Sequence, residues 1–328
     1  MRFRLASRAV IAGVAAALAL SACGGSGEPA KTAAANAKGL EKTSIKIGAL
    51  PIPDSASLYI AKKRGFFKDA GLDVTIEAVV GGAQAQQALI GGTLDATQTN
   101  YVSTFLAVSA GNKLKIIADM YQATPNSFNI MVPKGSSITS PAGLKGKKIA
   151  VNSRKNIGTL AVTSVLRTHG LKESDVSFVE FPFPEMKTQL ENGTVDAAWM
   201  TEPHLTAVQK TIGAQKLADT MVDSTADFPI AGVVVTEKFA TDNPKTVAAF
   251  QSAMGKAQQI AASDRKAVEE VLPDYTKIDA ATAAVITLGS FPTSLDETRL
   301  QRVADLMVEQ GYLKEPIQAK VILPGNPG

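Results

Sequence analysis

The 328-residue chain has one cysteine, one tryptophan and two histidines. A single cysteine, Cys23, excludes an internal disulfide framework and a cysteine-built metal or iron–sulfur site. Two isolated histidines, His169 and His204, do not make a metal site either, and no cofactor is expected. Also missing are His-Glu-x-x-His, Gly-x-Ser-x-Gly, Gly-x-x-x-x-Gly-Lys-Ser/Thr, and Gly-x-Gly-x-x-Gly after a strand pattern. These absences shift the expectation from catalysis toward binding. After its first twenty or so residues the chain has no stretch long and apolar enough to cross a membrane.

What the chain does have begins with Arg2, Arg4 and Arg8 ahead of an apolar run over residues 9–20. That run is too short to span a bilayer comfortably and reads as a secretory signal over residues 1–22. Leu20-Ser21-Ala22-Cys23 matches the bacterial lipobox, which implies cleavage before Cys23 and acylation of its sulfur and amine. Cleavage removes three of the 34 basic residues and leaves 31 against 30 acidic ones. The basic balance is therefore largely the signal's, and the mature chain shows no charge excess that points to nucleic acid. Residues 24–42, rich in Gly, Ala, Lys and Asn, have too few large apolar side chains to bury a core. A lipidated flexible tether is expected over 23–43, with the folded part starting near Ser44.

The folded part contains an echo. Gly193-Thr194-Val195-Asp196-Ala197 repeats Gly92-Thr93-Leu94-Asp95-Ala96 about a hundred residues on, the span of a small domain. Each copy reads as a helix end at glycine followed by a buried strand. Strand patterns at 45–50, 74–79 and 94–97 alternate with helix patterns at 55–67 and 84–90. The same order returns as strands at 148–151, 176–181 and 195–200 with helices at 157–169 and 185–191. Two α/β lobes with parallel strands follow from right-handed crossovers. Extended, Gly/Pro/Ser-rich passages at 129–146 and 228–235 read as two crossings. The expected division is 44–130 plus 231–328 for one lobe and 131–230 for the other. Helices at 243–262, 280–288 and 295–310, the last opened by a Ser294/Glu297 capping box, complete the first lobe.

A ligand is expected between the lobes at the carboxyl ends of the strands. The loop from Asn152 to Thr159 joins a strand to a helix start. Its free N–H groups, the small Gly158, and the hydroxyls of Ser153 and Thr159 would cradle an anion, with Asn156 in the loop and Lys155 adding a cation. Lobe one offers Pro53-Asp54-Ser55 and Gly81-Gly82-Ala83-Gln84 at corresponding places, with Thr99-Asn100 after its third strand. Phe181-Pro182-Phe183-Pro184 brings two rings near the same rim. Trp199 is expected in the core, His169 as a helix C-terminal cap, and Glu202 and His204 at the rim of lobe two.

The residues from Leu58-Tyr59-Ile60-Ala61 through Gly65-Phe66-Phe67 to Gly71-Leu72-Asp73-Val74, those from Leu144 to Val151, and those from Gly193 to Pro203 carry a resemblance. The chain resembles solute-binding proteins of the nitrate/sulfonate/taurine family, whose relatives also bind thiamine-pyrimidine precursors. The resemblance implies a periplasmic-binding-protein-like type II α/β fold whose two lobes, joined by two crossover segments, close over a small solute and deliver it to an ABC permease and its ATPase. It implies Ser55, Gln84, Thr99, Asn100, Ser153, Gly158 and Thr159 in the cleft. Glu202 matches an acidic residue before proline that often sits there, whereas Thr201 stands where many relatives have tryptophan and His204 where an aromatic is usual. A lipid-anchored, extracytoplasmic, monomeric receptor without enzymatic activity is expected. Its cargo would be a small organic anion such as an alkanesulfonate or taurine, with nitrate, an aromatic carboxylate or a pyrimidine precursor as alternatives, or else the chain is a lipoprotein sensor module. A fungal relative that makes the thiamine pyrimidine uses a histidine and a cysteine cluster, and the latter has no counterpart here.

Overall fold

The computed structural model describes residues 39–324. The signal segment, Cys23 and most of the tether lie outside the described residues. The first strand, β1 (Ser44–Ala49), alternates exposed Ser44 and Lys46 with buried Ile45 and Ile47, the period-two pattern of a half-buried strand. Helix α1 (Ala56–Lys63) follows. It stops short of the predicted end because Gly65 adopts a left-handed φ of 78°, and a separate short helix, Phe66–Asp69, carries the chain to Gly71. Then come β2 (Asp73–Ala78), α2 (Gly82–Ile90), β3 (Ala96–Asn100), α3 (Tyr101–Ser109) and β4 (Leu114–Gln122).

The chain next enters a second sheet with β5 (Phe128–Val132) and continues through β6 (Lys148–Val151), α4 (Ile157–Thr168), β7 (Ser177–Glu180), α5 (Phe183–Glu191), β8 (Ala197–Thr201), α6 (His204–Ile212) and β9 (Gln215–Asp219). It returns to the first sheet with β10 (Pro229–Thr236), followed by the long α7 (Pro244–Ser263) and by α8 (Glu297–Glu309). The first sheet runs β2-β1-β3-β10-β4 and the second β7-β6-β8-β5-β9. In each, three strands are parallel and the last two pair antiparallel. The halves correspond strand for strand, and each sheet's fourth strand is the first one formed after a crossing.

The echo has a physical basis. Asp95 accepts the backbone N–H of Lys46 on β1 at 3.0 Å, and Asp196 accepts that of Lys148 on β6 at 2.8 Å. In both lobes the Asp backbone N–H also donates to the carbonyl of that same lysine, at 2.9 Å. Each aspartate thus fixes the register of the third parallel strand against the first. Gly92 and Gly193, at φ 76° and 67°, make the turns that precede them.

Several sequence expectations are corrected. The third strand of lobe one begins at Ala96 and reaches Asn100, so Thr99 and Asn100 are strand residues rather than the loop after it. The start of the first passage read as a crossing is strand β5, and the second is strand β10. The actual changes of sheet fall between Gln122 and Phe128 and between Asp219 and Pro229, and residue 130 of the expected boundary lies inside β5. The helix expected over 280–288 is a single turn, Ala280–Ala283. The last helix is capped by Asp296, whose side chain accepts the N–H of Arg299 at 2.8 Å, not by Ser294. Helices α3 and α6 had not been anticipated.

Candidate functional site

A small cavity of about 30 Å³ lies between the sheets. Lobe one supplies Asp54, Gly82, Gln98, Asn100 and the aliphatic Leu50, Ile52, Ile230 and Ala231. Lobe two supplies Asn152, Ile157, Phe128, Phe183 and Trp199. The wall residues come from the carboxyl ends of β1 and β3, from β8, and from the starts of α2, α4 and α5, the rim at which open α/β sheets bind ligands. The lobes touch around it. A Cβ on Gly81 would stand 3.0 Å from Ser153 Oγ, Gln310 Nε2 donates to Ser164 Oγ at 2.6 Å, and Thr287 N donates to Glu202 Oε1 at 3.3 Å.

The aromatic wall is built by packing. Trp199 on β8 stacks on Phe128 with centroids 5.2 Å apart, leans on Phe183 at 5.9 Å, and donates from Nε1 to Thr220 Oγ1 at 3.0 Å. Gly158 is required beneath it. A Cβ there would come within 2.6 Å of Trp199 Cε3, so only glycine lets the first turn of α4 approach the indole. We expect Gly158→Ala to destabilise the protein by about 1–3 kcal/mol, because overpacking outweighs the gain in helix propensity. Denaturant unfolding of the two proteins measures it.

Three amides line the cavity, and their orientations are dictated by chemistry. Gln98 Oε1 accepts the backbone N–H of Leu50 at 3.1 Å, and Asn100 Oδ1 accepts that of Ser103 at 2.9 Å. An N–H donates only to the oxygen end, so both NH2 groups are left over. Asn156 Oδ1 accepts the N–H of Gly158 at 2.9 Å; its Nδ2 therefore donates to Asn152 Oδ1 at 3.0 Å and leaves Asn152 Nδ2 over as well. Among the described residues none of these three NH2 groups has a partner. Among the described residues no lysine, arginine or histidine lines this cavity.

Asp54 is the charged group in the wall. It sits in the single 3-10 turn Pro53–Ser55 after β1, is 2% exposed, and its Oδ1 has no hydrogen-bond partner among the described residues. Burial pushes its carboxyl up from 3.8 to about 7.

The residues expected in the cleft take varied places. Asn100 lines the cavity. Ser153 meets Gly81 at the seam between lobes. Asn156 and Thr159 form a capping box: Thr159 Oγ1 accepts the N–H of Asn156 at 3.0 Å, so part of the predicted anion cradle is satisfied within its own loop. Ser55 donates to Leu50 O at 2.7 Å instead of capping α1. Gln84 is exposed on α2, and Thr99 is buried against Gly82. Lys155 is exposed, with φ 49°, in an outer groove beside Arg154 and Glu173.

Glu202, two residues before α6, accepts from Thr206 N at 3.0 Å and Thr206 Oγ1 at 2.9 Å, and burial raises its carboxyl. His204 stacks on Phe183 at 5.6 Å behind the wall, where burial lowers it to about 4, so it is neutral at pH 7. Asp54, Gln98, Asn152, Phe128 and Trp199 were not in the predicted set. For Asp54 the available signal was its position in the turn that ends β1.

Among the described residues no helix is long and apolar enough to cross a membrane. The family model described as NMT1/THI5 like matches residues 52–267. A putative aliphatic sulfonates-binding protein of Bacillus subtilis is 30% identical over 243 residues, 73% of this chain and 69% of the relative. The taurine-binding periplasmic protein of Escherichia coli is 29% identical over 197 residues, 59% of either chain. In structure the chain is similar to the alkanesulfonate-binding protein SsuA of Xanthomonas axonopodis bound to MOPS, with a TM-score of 0.72 at 20% identity over 86% of this chain and 98% of that one. That likeness fixes the fold as the periplasmic-binding-protein type with two mixed five-stranded sheets. With about two thirds of its length matched by the family model, the chain belongs to the NMT1/THI5-like family.

Proposed function

We propose that the protein is an extracytoplasmic solute receptor, not an enzyme, that captures a small organic anion of the alkanesulfonate/taurine class between its lobes and passes it to an ABC permease and its ATPase. A lipid on Cys23 would hold it at the membrane, and the two lobes, divided at the changes of sheet over 123–127 and 220–228, would close over the solute. The observation that carries the reading is the set of three unpartnered NH2 groups of Gln98, Asn100 and Asn152, converging from both lobes on one cavity. Neutral donors aimed into a water-poor space suit the oxygens of a sulfonate without a full cationic partner. The relatives that bind aliphatic sulfonates and taurine support the same class.

A pyrimidine precursor is the second reading, favoured by the three aromatic side chains in the wall. Titrating the mature chain with sulfonates, taurine, nitrate, aromatic acids and pyrimidines, followed by Trp199 fluorescence and calorimetry, separates the two. We expect one-to-one saturation by the sulfonate class without turnover of the ligand. Saturation by pyrimidines alone would instead select the second reading.

A further inference from the structure

The three amides and Asp54 make opposite demands on whatever fills the cavity. A simple alkanesulfonate or nitrate offers only acceptors. Above about pH 7, where Asp54 is ionised, it would satisfy the NH2 groups of Gln98, Asn100 and Asn152 and leave the buried Asp54 carboxylate facing a second negative charge. Among the described residues no side chain answers Asp54, whose carboxyl is bonded only by its own backbone N–H. Its Oδ1 has no partner among the described residues, no basic side chain lines the cavity, and the titratable groups that sense it, Tyr121 on β4 and Tyr275, are phenols that burial keeps neutral. Tyr275 donates instead to Ile52 O at 3.2 Å, and Tyr121, which accepts the N–H of Gly289, makes no bond to Asp54 Oδ1. A buried oxygen left this way costs free energy in the ligand-free protein and is answered by a donor that arrives with the ligand.

We propose that the ligand carries a protonated nitrogen as well as an acidic group, and that Asp54 is the anchor for that nitrogen. The cargo is then a small zwitterion of the aminoalkanesulfonate kind, with its amine on Asp54 and its acid oxygens on the three amides. This rests on the organic-anion reading above and narrows it. The indole and phenyl faces of Trp199, Phe128 and Phe183 in the same cavity tolerate a cation beside them. Asp54 also acts as a discriminator, since it repels anions that bring no donor.

The test is calorimetric titration of the mature chain and of Asp54→Asn with 2-aminoethanesulfonate and with ethanesulfonate, near pH 6 and near pH 8. The amine stays protonated at both values, whereas Asp54 passes from mostly neutral to mostly ionised. The native protein is expected to prefer the amino ligand by about tenfold or more near pH 8, with a smaller preference near pH 6. Asp54→Asn is expected to bind both ligands about equally at either pH. Equal binding of the two ligands by the native protein, a preference that ignores pH, or one that survives Asp54→Asn would overturn the role of Asp54 and leave the organic-anion receptor standing. Failure of the native protein to bind either sulfonate would overturn that receptor reading and this inference with it.

Discussion

Asp54→Asn should make the ligand-free protein more stable above neutral pH, by roughly 4 kcal/mol at the upper end, since one pKa unit is worth about 1.4 kcal/mol and burial moves the carboxyl from 3.8 to about 7. The sign follows from linkage. The folded-state pKa lies above the unfolded one, so between about pH 4 and about pH 7 the native state holds the proton that the unfolded chain has lost, and stability falls as pH rises. Below that window the protonated acid and the amide are nearly equivalent; above it the native protein bears the cost of a buried charge that no other side chain offsets. Asp119, which burial raises to about 6 despite Arg299 beside it, adds a slope of the same sign, as does Glu202. Both are common to the two proteins and cancel in the difference. Denaturant unfolding across this range should show the gap opening through the window, and a gap that stays constant with pH would mean that Asp54 is not ionising in a buried site. The same substitution that stabilises the empty receptor should abolish its selectivity, the exchange of stability for function expected where a site is built ahead of its ligand.

Trp199→Ala should be the most damaging single change in the cavity wall. It removes the largest fully buried side chain of lobe two, with its stack on Phe128 and its bond to Thr220, and Phe/Trp→Ala changes in cores cost about 3–5 kcal/mol. The void would open directly into the ligand space, so binding should weaken by at least about tenfold even where the fold survives. Trp199→Phe keeps most of the ring contact and loses only the Nε1–Thr220 bond. Thr220 Oγ1 still donates to Phe128 O at 2.8 Å, so the cost there should be nearer 1 kcal/mol. Calorimetric affinities of the two variants, set beside their unfolding free energies, separate loss of wall from loss of fold. Unchanged affinity in Trp199→Ala would place the ligand somewhere other than this cavity.

The sequence by itself determined the repeating architecture. The alternation of strand and helix patterns, and the Gly-Thr-aliphatic-Asp-Ala echo that ties the third strand to the first through Asp95 and Asp196, are local signals, carried by residues a few positions apart or by one side chain meeting one backbone group. For the same reason the rim of strand ends was legible as the face where the lobes meet, and Asn100 lines the cavity there.

Tertiary structure alone decided the rest. β5 and β10 read as linkers because their Gly, Pro and Ser neighbours resemble loop composition, yet β10 pairs with β3 and β4 from more than a hundred residues away, a choice that no local window contains. Glu202 looked like a ligand group and is taken by Thr206 and by Thr287. Lys155 looked like an anion's partner, but its left-handed backbone leaves it in an outer groove. Asp54 looked like one more polar residue in a turn before a helix. Only tertiary packing removes it from water while leaving its Oδ1 without a partner, because desolvation depends on what the rest of the chain brings against a residue and not on its neighbours in sequence.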